Sequence, residues 1–486
     1  MPLKPNNIIL FVCIGLLGIG ACKKGAPLEN EAPETHLSVG AINLTGQARL
    51  NSLVKLEWWG TDPDGYITGF EFSFDENVWH FTESQDSTFL FTITEGSDTI
   101  DIDFWVRAVD NSKVVDASPA YLSIPLKNTP PEVSFVDELM PSDTAFNLLT
   151  LAWDAVDLDG FESIKEIQIK VNEGDWITFS PRSADGETEF ATLVPENPKA
   201  TGPASASLFS ESGDVLGTST SLRLNGLNSI YIRNVDLAGS VSIEDTLDNI
   251  YFNGQTEDLL VLGTSSALPN AFYKSQLDGI GVSFDFIDYV LEDRKNMPRV
   301  WNPSMSILLS QYDKVLIYAA EDVVVNAQTK QEDIFLEFAA SAIDGYINNG
   351  GKVWIVSSMP NGHSPNSALF GILPVDSLSS SPPPSQARLP IDSLAVGAFG
   401  YPDLTSNALI TIDPFYASSD AEIIYAAQLT KNLGWYGPED NCIGVRRKVS
   451  GNTAMVFISV DLHRINKDEP AVAALFEKIL KSEFNW

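Results

Sequence analysis

One stretch of this chain occurs twice, and that repeat constrains the fold more than any other feature of the sequence. Residues 53–81 read LVKLEWWGTDPDGYITGFEFSFDENVWHF, and residues 149–179 read LTLAWDAVDLDGFESIKEIQIKVNEGDWITF. Four residues of each copy align, namely Trp59 with Trp153, Asp64 with Asp159, Gly65 with Gly160, and Trp79 with Trp176. Self-similarity of this length indicates two copies of one module.

Each copy has the pattern of a β-sandwich. Residues 71–74 and 167–171 alternate between polar and apolar side chains, as strands with one buried face do. Both copies reach an Asp-Gly turn soon after a tryptophan, where glycine accepts the conformation of a tight reversal. Tandem prolines at 130 and 131 separate the copies, because proline interrupts an inner strand. The sequence therefore predicts two all-β sandwiches of roughly seven strands each, at 35–128 and 129–254.

These copies resemble fibronectin type III and other immunoglobulin-like modules of exported bacterial proteins. The residues that carry the resemblance are Trp59, the turn 60–65, the segment 66–74 and the late strand 104–110. It extends over about 35–252 and is looser in the second copy, which has an insertion rich in Ser, Pro and Gly at about 181–221. Because such modules mostly act as spacers or binding platforms, the resemblance implies architecture more than activity.

Three tryptophans of the first copy have two possible roles. Trp58, Trp59 and Trp79 could stack on a sugar ring, or they could fill the interior of the sandwich. We predict core packing for Trp59 and Trp79, since large aromatic side chains supply much of the buried area of a small domain.

The turns also carry carboxylates that could bind calcium. Asp62 and Asp64 lie on one turn, and Asp110 ends a strand that a sandwich could bring close to it. The second copy offers Asp157, Asp159 and Asp236. Calcium requires six to eight oxygen ligands, whereas aspartate is also favoured in turns for its own backbone hydrogen bonds. Asp62, Asp64 and Asp110 are therefore the calcium candidates, with plain turn chemistry as the favoured alternative.

The pattern changes at Leu259, where LLVLG is a continuous apolar run, typical of a parallel strand buried on both faces. Further strands are predicted at 283–286, 314–318, 352–357 and 454–460, and helices at 271–277, 331–348 and 469–482. Gly350 and Gly351 are the expected end of the second helix. Strands that alternate with helices predict an α/β, doubly wound parallel sheet over 255–486.

This half resembles the class I glutamine amidotransferase-like, flavodoxin-like fold. The residues that carry the resemblance are LLVLG at 259–263, the acidic loop 318–322, INNGGKVWIVSS at 347–358 and VFISVDLHRI at 456–465. Enzymes of this family place a nucleophilic cysteine in a Gly-x-Cys-x-Gly elbow, followed later by His-x-Glu. At the comparable place this chain has SSMPNGH, without a cysteine. The resemblance therefore implies the fold without the family's chemistry, and Cys442 is expected to be buried and inert.

A substitute catalytic set is possible at the same sheet edge. Ser358 would be the nucleophile, His463 the base, and Asp461 or Glu469 the acid that orients it. A serine elbow normally needs close glycines, however, and Met359-Pro360 follows here instead. An ordinary loop and strand end are the favoured alternative, so the leading prediction is not an enzyme.

The first residues resemble the signal of bacterial lipoproteins. Lys4 precedes an apolar run at 8–19, which is too short to span a bilayer core of about 30 Å. Ile19-Gly20-Ala21-Cys22 resembles the lipobox, in which cleavage precedes the cysteine and its thiol is acylated. The resemblance implies a signal peptide at 1–21, a lipid on Cys22 that attaches the chain to a bilayer, and a tether at 22–34.

The charge limits the classes of partner. The chain has 65 Asp and Glu against 30 Lys and Arg, a net charge of −35 that would repel nucleic acid. Lysines rather than aspartate follow Cys22, which favours the outer membrane and leaves its face open. We predict a non-enzymatic cell-envelope lipoprotein that binds a protein or glycan partner. Two alternatives remain open: an envelope hydrolase that uses the α/β domain, and a glycan-binding lipoprotein of a polysaccharide uptake system.

Overall fold

The computed structural model describes the greater part of the chain. The described residues are 29–40, 44–45, 49–93, 96–141, 143–182, 187–263, 267–287, 304–318, 323–326, 329–357, 367–378, 387–412, 414–433, 435 and 437–486. They form two compact units: unit 1 lies within 1–129, 158–163 and 237–239, and unit 2 comprises 130–157, 164–236 and 240–486. Within these ranges, no helix combines the length and the apolar character needed to cross a bilayer.

Unit 1 is a β-sandwich. Its smaller sheet has three strands in the order Glu34–Val39, Leu53–Thr61, Asp86–Leu90. Its larger sheet has six strands in the order Leu44–Thr45, Arg49–Leu50, Ala120–Lys127, Thr99–Asp110, Ile67–Ser73, His80–Thr82. Side chains of both sheets meet in one core that includes Leu56, Trp58, Phe70, Phe104 and Val106. The prediction of a β-sandwich for the first copy is confirmed.

The core tryptophan of unit 1 is Trp58. Trp58 is 1% exposed, whereas Trp59 is 47% exposed and stacks on the ring of His36 with centroids 5.3 Å apart. The prediction that Trp59 is a core residue is wrong, and Trp58 is the counterpart of the fully buried Trp153. Side chains of a strand alternate between faces, so an alignment shifted by one residue assigns every side chain to the wrong face.

The second copy, in unit 2, is a β-sandwich of two five-stranded sheets. One sheet has the order Glu132–Phe135, Leu149–Val156, Glu189–Pro195, Gly202–Ser210, Val215–Leu224. The other has the order Thr144–Phe146, Asp245–Asn253, Gly226–Asp236, Ile164–Val171, Ile177–Phe179. Two strands that begin within the insertion predicted at about 181–221, Gly202–Ser210 and Val215–Leu224, widen the first of these sheets beyond the three strands of its counterpart in unit 1.

The C-terminal half of unit 2 contains a mixed sheet of nine strands. Their order is Asp285–Ile287, Leu259–Leu262, Lys314–Ile317, Lys352–Val356, Asn452–Ile458, Cys442–Val449, Ala421–Ala427, Leu394–Gly397, Leu404–Thr405. The first five pair in parallel and the remaining four are antiparallel. The prediction of a wholly parallel sheet is wrong for these four. Ser450 and Gly451, with φ of 51° and 84°, form the two-residue turn between Cys442–Val449 and Asn452–Ile458, as the tightest antiparallel hairpins require.

Helices cover both faces of the parallel strands. The helices are Ala267–Gly279, Ser304–Ser310, Phe335–Asn348, Leu369–Ile372 and Glu469–Glu477, the last followed by a π-helical turn at Lys478–Glu483. Leu260 and Leu262 belong to the core beneath Phe335–Asn348, while Leu259 and Val261 belong to the core beneath Ala267–Gly279 and Glu469–Glu477. Burial on both faces explains why these strands are continuous apolar runs.

The remaining elements are short. Small sheets pair Val323–Val325 with Glu332–Ile334, Val375–Leu378 with Phe415–Ala417, and Ala387–Leu389 with Ile410–Ile412 and Thr430–Lys431. Single helical turns lie at Asp137–Leu139, Phe161–Ser163 and Leu462–Arg464.

Candidate functional site

The outer surface of the six-stranded sheet of unit 1 carries three aromatic side chains, which we call the aromatic face: Phe81, Trp105 and Tyr121. Trp105 and Tyr121 are direct cross-strand partners whose ring centroids lie 5.1 Å apart. Phe81 is 58% exposed and Tyr121 is 54% exposed. Trp105 is half-buried. Apolar side chains that cluster and stay exposed on one face of a sheet mark binding surfaces.

Neighbouring residues hold two of these rings. Phe81 lies against Gly69, where a Cβ atom would be only 2.4 Å from the ring, so glycine is required for this close approach. The hydroxyl of Tyr121 donates a hydrogen bond of 2.6 Å to Asp103. That bond favours the protonated hydroxyl and raises the pKa of Tyr121.

A second cluster supports the same surface, and we call it the brace: Trp79, Arg107 and Glu71. The guanidinium carbon of Arg107 lies 4.0 Å from the ring centroid of Trp79. Nε and Nη2 of Arg107 donate to Oε2 of Glu71 at 2.8 and 2.6 Å. Trp79 is half-buried in this contact, so the prediction that it belongs to the core is wrong. The brace combines a cation–π contact with charge-assisted hydrogen bonds.

The second copy has an equivalent brace. The guanidinium of Arg233 lies 4.1 Å from the ring of Trp176, and its Nε donates to Gln168 at 2.8 Å. The ammonium of Lys170 also contacts this ring, at 4.6 Å. Because the brace is present in both modules, it belongs to the framework of the repeat.

Two of the three rings of the aromatic face, Phe81 and Tyr121, are confined to the first copy. In the first copy Phe81 pairs with Glu71, whereas in the second copy Thr178 pairs with the equivalent Gln168. Likewise Tyr121 pairs with Trp105 in the first copy, whereas Thr246 pairs with the equivalent Tyr231 in the second. Threonine stands in the second copy where the first has an exposed ring. A feature that one repeat has and the other lacks is not needed for the fold of the module.

Sequence reasoning alone did not identify the aromatic face. Alternation within 104–110 places Trp105 and Arg107 on one face of their strand. The pattern does not show which strands lie next to that one, and this is what brings Phe81 and Tyr121 beside them.

The carboxylates predicted as calcium ligands accept hydrogen bonds from N–H groups. Asp64 accepts from the backbone of Glu31 at 3.3 Å, and Asp110 accepts from the backbone of Val114 at 2.8 Å and from the amide of Asn30 at 2.5 Å. In the part of the chain that the structure describes, no group of three His, Cys, Asp or Glu residues is arranged to hold a metal ion. These contacts favour turn chemistry, and calcium binding by Asp62, Asp64 and Asp110 stays a prediction.

The predicted catalytic set is described only in part, because Ser358 lies outside the described residues. His463 follows Asp461 in the turn Leu462–Arg464, at the carboxyl edge of the parallel strands. Burial lowers the pKa of His463, while the neighbouring charge of Asp461 opposes this shift. Nδ1 of His463 is buried and has no hydrogen-bond partner among the described residues. In a catalytic triad, the acid accepts a hydrogen bond from a ring nitrogen of the histidine. The set stays a prediction.

The two cysteines of the sequence prediction differ in what the structure describes. Cys22 lies outside the described residues. Cys442 is fully buried in the strand Cys442–Val449, and burial raises the pKa of its thiol to about 12. Because the thiolate is the nucleophilic form, this cysteine is inert near neutral pH.

No family model and no curated protein matches this sequence. Among solved structures, it is similar to the fibronectin(III)-like modules of CbhA from Clostridium thermocellum, with 12% identity, a TM-score of 0.15 and coverage of 45% of this chain and 94% of that chain. Carbohydrate-binding modules of the β-sandwich superfamily give 10% identity, a TM-score of 0.17 and coverage of 42% and 59%. The Escherichia coli adhesin FdeC gives 11% identity, a TM-score of 0.13 and coverage of 46% and 100%. With TM-scores below 0.5, none of them carries an argument about the function of this chain.

Proposed function

We propose that this chain is a non-enzymatic, lipid-anchored protein of the cell envelope that binds a neutral glycan on the aromatic face of its first β-sandwich. The observation that carries the proposal is the row of Phe81, Trp105 and Tyr121, in which Phe81 and Tyr121 are exposed and Trp105 is half-buried. The second copy of the same module has threonine in place of both exposed rings.

The arrangement of the aromatic face suits a saccharide. The rings span four neighbouring strands, or three spacings of about 4.8 Å, giving a length of about 15 Å. Aromatic rings pack against the C–H faces of sugars. Asp103, Glu71 and Arg107 lie beside the rings and offer acceptors and donors for hydroxyl groups. An apolar surface with a few fixed polar groups is the usual composition of a small-molecule site.

Charge selects the class of glycan. The net charge of −35 and the carboxylates beside the rings repel acidic polysaccharides. Neutral oligosaccharides avoid this repulsion and are the proposed ligand.

Trp105→Ala is expected to weaken binding of the full chain to a neutral oligosaccharide about tenfold, because one stacking ring contributes about 1.4 kcal/mol. Binding is measured by titration calorimetry with a glycan first identified on an array of neutral glycans. Tyr66→Ala is the matched control, since Tyr66 is 67% exposed but lies just before the strand Ile67–Ser73 and is not one of the rings of the aromatic face. If no neutral glycan binds, or if Trp105→Ala and Tyr66→Ala bind alike, the glycan proposal is wrong.

We further propose that the chain is attached to the outer membrane through a lipid on Cys22. Cys22→Ser is expected to release nearly all of the protein from the membrane fraction, because this substitution removes the acceptor of the lipid. Fractionation of cells followed by immunoblotting measures the distribution, with Cys442→Ser as the matched control. Retention of Cys22→Ser in the membrane fraction would contradict lipid anchoring.

The C-terminal half is proposed to be a flavodoxin-like, amidotransferase-like domain that has no catalytic role. Its five parallel strands have the chain order 2-1-3-4-5, which is one of the doubly wound orders. Two observations support a non-catalytic role. Cys442 is buried and protonated near neutral pH, and Nδ1 of His463 has no hydrogen-bond partner among the described residues.

A further inference from the structure

A cavity of about 480 Å³ opens at the amino edge of the nine-stranded sheet, far in sequence from the aromatic face. It lies where the strands Lys314–Ile317 and Lys352–Val356 begin, and its wall includes Asp313, Tyr346 and Phe484. The carboxyl ends of these two strands lie at the opposite edge of the sheet, where His463 lies. The amino edge is therefore separate from the predicted catalytic set.

Two lysines stand side by side in the wall of this cavity. Lys314 and Lys352 are direct partners in the parallel pairing of their strands, so their side chains project to the same face. Lys314 is 8% exposed. Among the described residues, neither ammonium group has a carboxylate oxygen within 4.0 Å.

The contacts of these ammonium groups leave donors unused. Nζ of Lys352 donates one hydrogen bond, of 2.5 Å, to the carbonyl of Phe484. Nζ of Lys314 lies 4.9 Å from the ring centroid of Trp486 and has no hydrogen bond to a described residue. An ammonium group has three donors, and a buried charge is costly unless it is paired and hydrogen-bonded.

The charges around the cavity are unbalanced in favour of an anion. Burial lowers the pKa of Lys352, and the positive charge of Lys314 lowers it further, whereas Asp313 raises it. Two cations thus face one carboxylate in a chain whose net charge is −35. Positive charge concentrated in a concave site attracts anions despite the overall charge of the protein.

We propose that this cavity binds a small oxyanion between the ammonium groups of Lys314 and Lys352. The ligand would be a phosphate or a carboxylate, because both have at least two anionic oxygens. Each ammonium group could then donate a hydrogen bond to a different oxygen. Ser306 also lines the cavity, and a serine hydroxyl is a neutral donor. Bound anion would compensate two charges that have no carboxylate oxygen within 4.0 Å in the described part of the chain.

The test uses the full chain and two probes, inorganic phosphate and citrate, with sodium chloride added to hold the ionic strength constant. At least one probe is expected to bind saturably in titration calorimetry and to raise the unfolding temperature, and the two arms separate phosphate from carboxylate recognition. Lys314→Met and Lys352→Gln are each expected to weaken that binding at least tenfold. Lys165→Gln is the matched control, because Lys165 is an exposed lysine of the second β-sandwich and should leave binding unchanged.

Lys314→Met also has an expectation that does not depend on the probe. Methionine keeps the apolar stem but removes the unpaired charge, so the variant should unfold in anion-free buffer at or above the temperature of the unsubstituted protein. Absence of saturable binding of both probes to the unsubstituted chain would overturn the proposal. Equal binding by Lys314→Met, Lys352→Gln and Lys165→Gln would overturn it too.

Discussion

Trp58→Ala is expected to lower the free energy of unfolding of unit 1 by about 3–5 kcal/mol, the usual cost of removing a buried tryptophan. Trp58 is 1% exposed and lies between the two sheets. Its ring contacts Phe70, Phe72 and Phe104 at centroid distances of 6.4, 6.2 and 5.8 Å. Alanine would leave a cavity among these rings that the surrounding strands cannot close completely.

Trp59→Ala is the matched control, since Trp59 precedes the same turn but is 47% exposed. It removes a surface ring stacked on His36, so its cost should stay within about 1 kcal/mol. Calorimetric unfolding of the full chain gives the change in stability. Hydrogen exchange of 53–61 and 99–110, compared with 452–458 in unit 2, shows whether the loss is confined to unit 1. Equal destabilisation by the two substitutions would contradict the assignment of Trp58 to the core.

Asp159→Ala is expected to lower the stability of unit 1 by about 2–4 kcal/mol, because it leaves two backbone N–H groups without their acceptor. Asp159 is fully buried. Its Oδ1 accepts from the backbone N–H of Ser52 at 2.6 Å, and its Oδ2 accepts from that of Thr129 at 2.7 Å. A carboxylate that bridges two segments distant in sequence fixes both of them, and alanine can replace neither bond.

Asp64 occupies the same turn position in the first copy and supplies the control. It is exposed, and its oxygens accept from the N–H of Glu31 at the long distance of 3.3 Å. Asp64→Ala should therefore change stability by less than about 0.5 kcal/mol. Asp159→Asn, which keeps one acceptor oxygen, should fall between the two. The expectation fails if calorimetric unfolding ranks Asp64→Ala as the more destabilising substitution.

Local pattern was sufficient for some parts of this structure. Continuous apolar runs at 259–262 and 353–356 predicted central strands, and Gly350 ends the preceding helix with φ of 92° as a glycine can. These features depend on burial and on backbone conformation at single residues. The antiparallel extension of the sheet is not predictable from local pattern. The turn at 450–451 indicates one hairpin, but it does not show that this hairpin joins the parallel sheet or that further strands pair beyond it.

Sequence by itself determined that this chain contains a repeated β module, an α/β half and a strongly acidic surface, since these follow from periodicity and composition. Only the tertiary structure decided which tryptophan enters the core, because a one-residue shift within a strand exchanges its two faces. The tertiary structure also decided which residues of different strands become neighbours. The aromatic face brings together residues 81, 105 and 121, and the lysine pair brings together 314 and 352, through strand pairings that the sequence does not encode locally. Both candidate binding sites are therefore products of sheet order, which long-range packing sets.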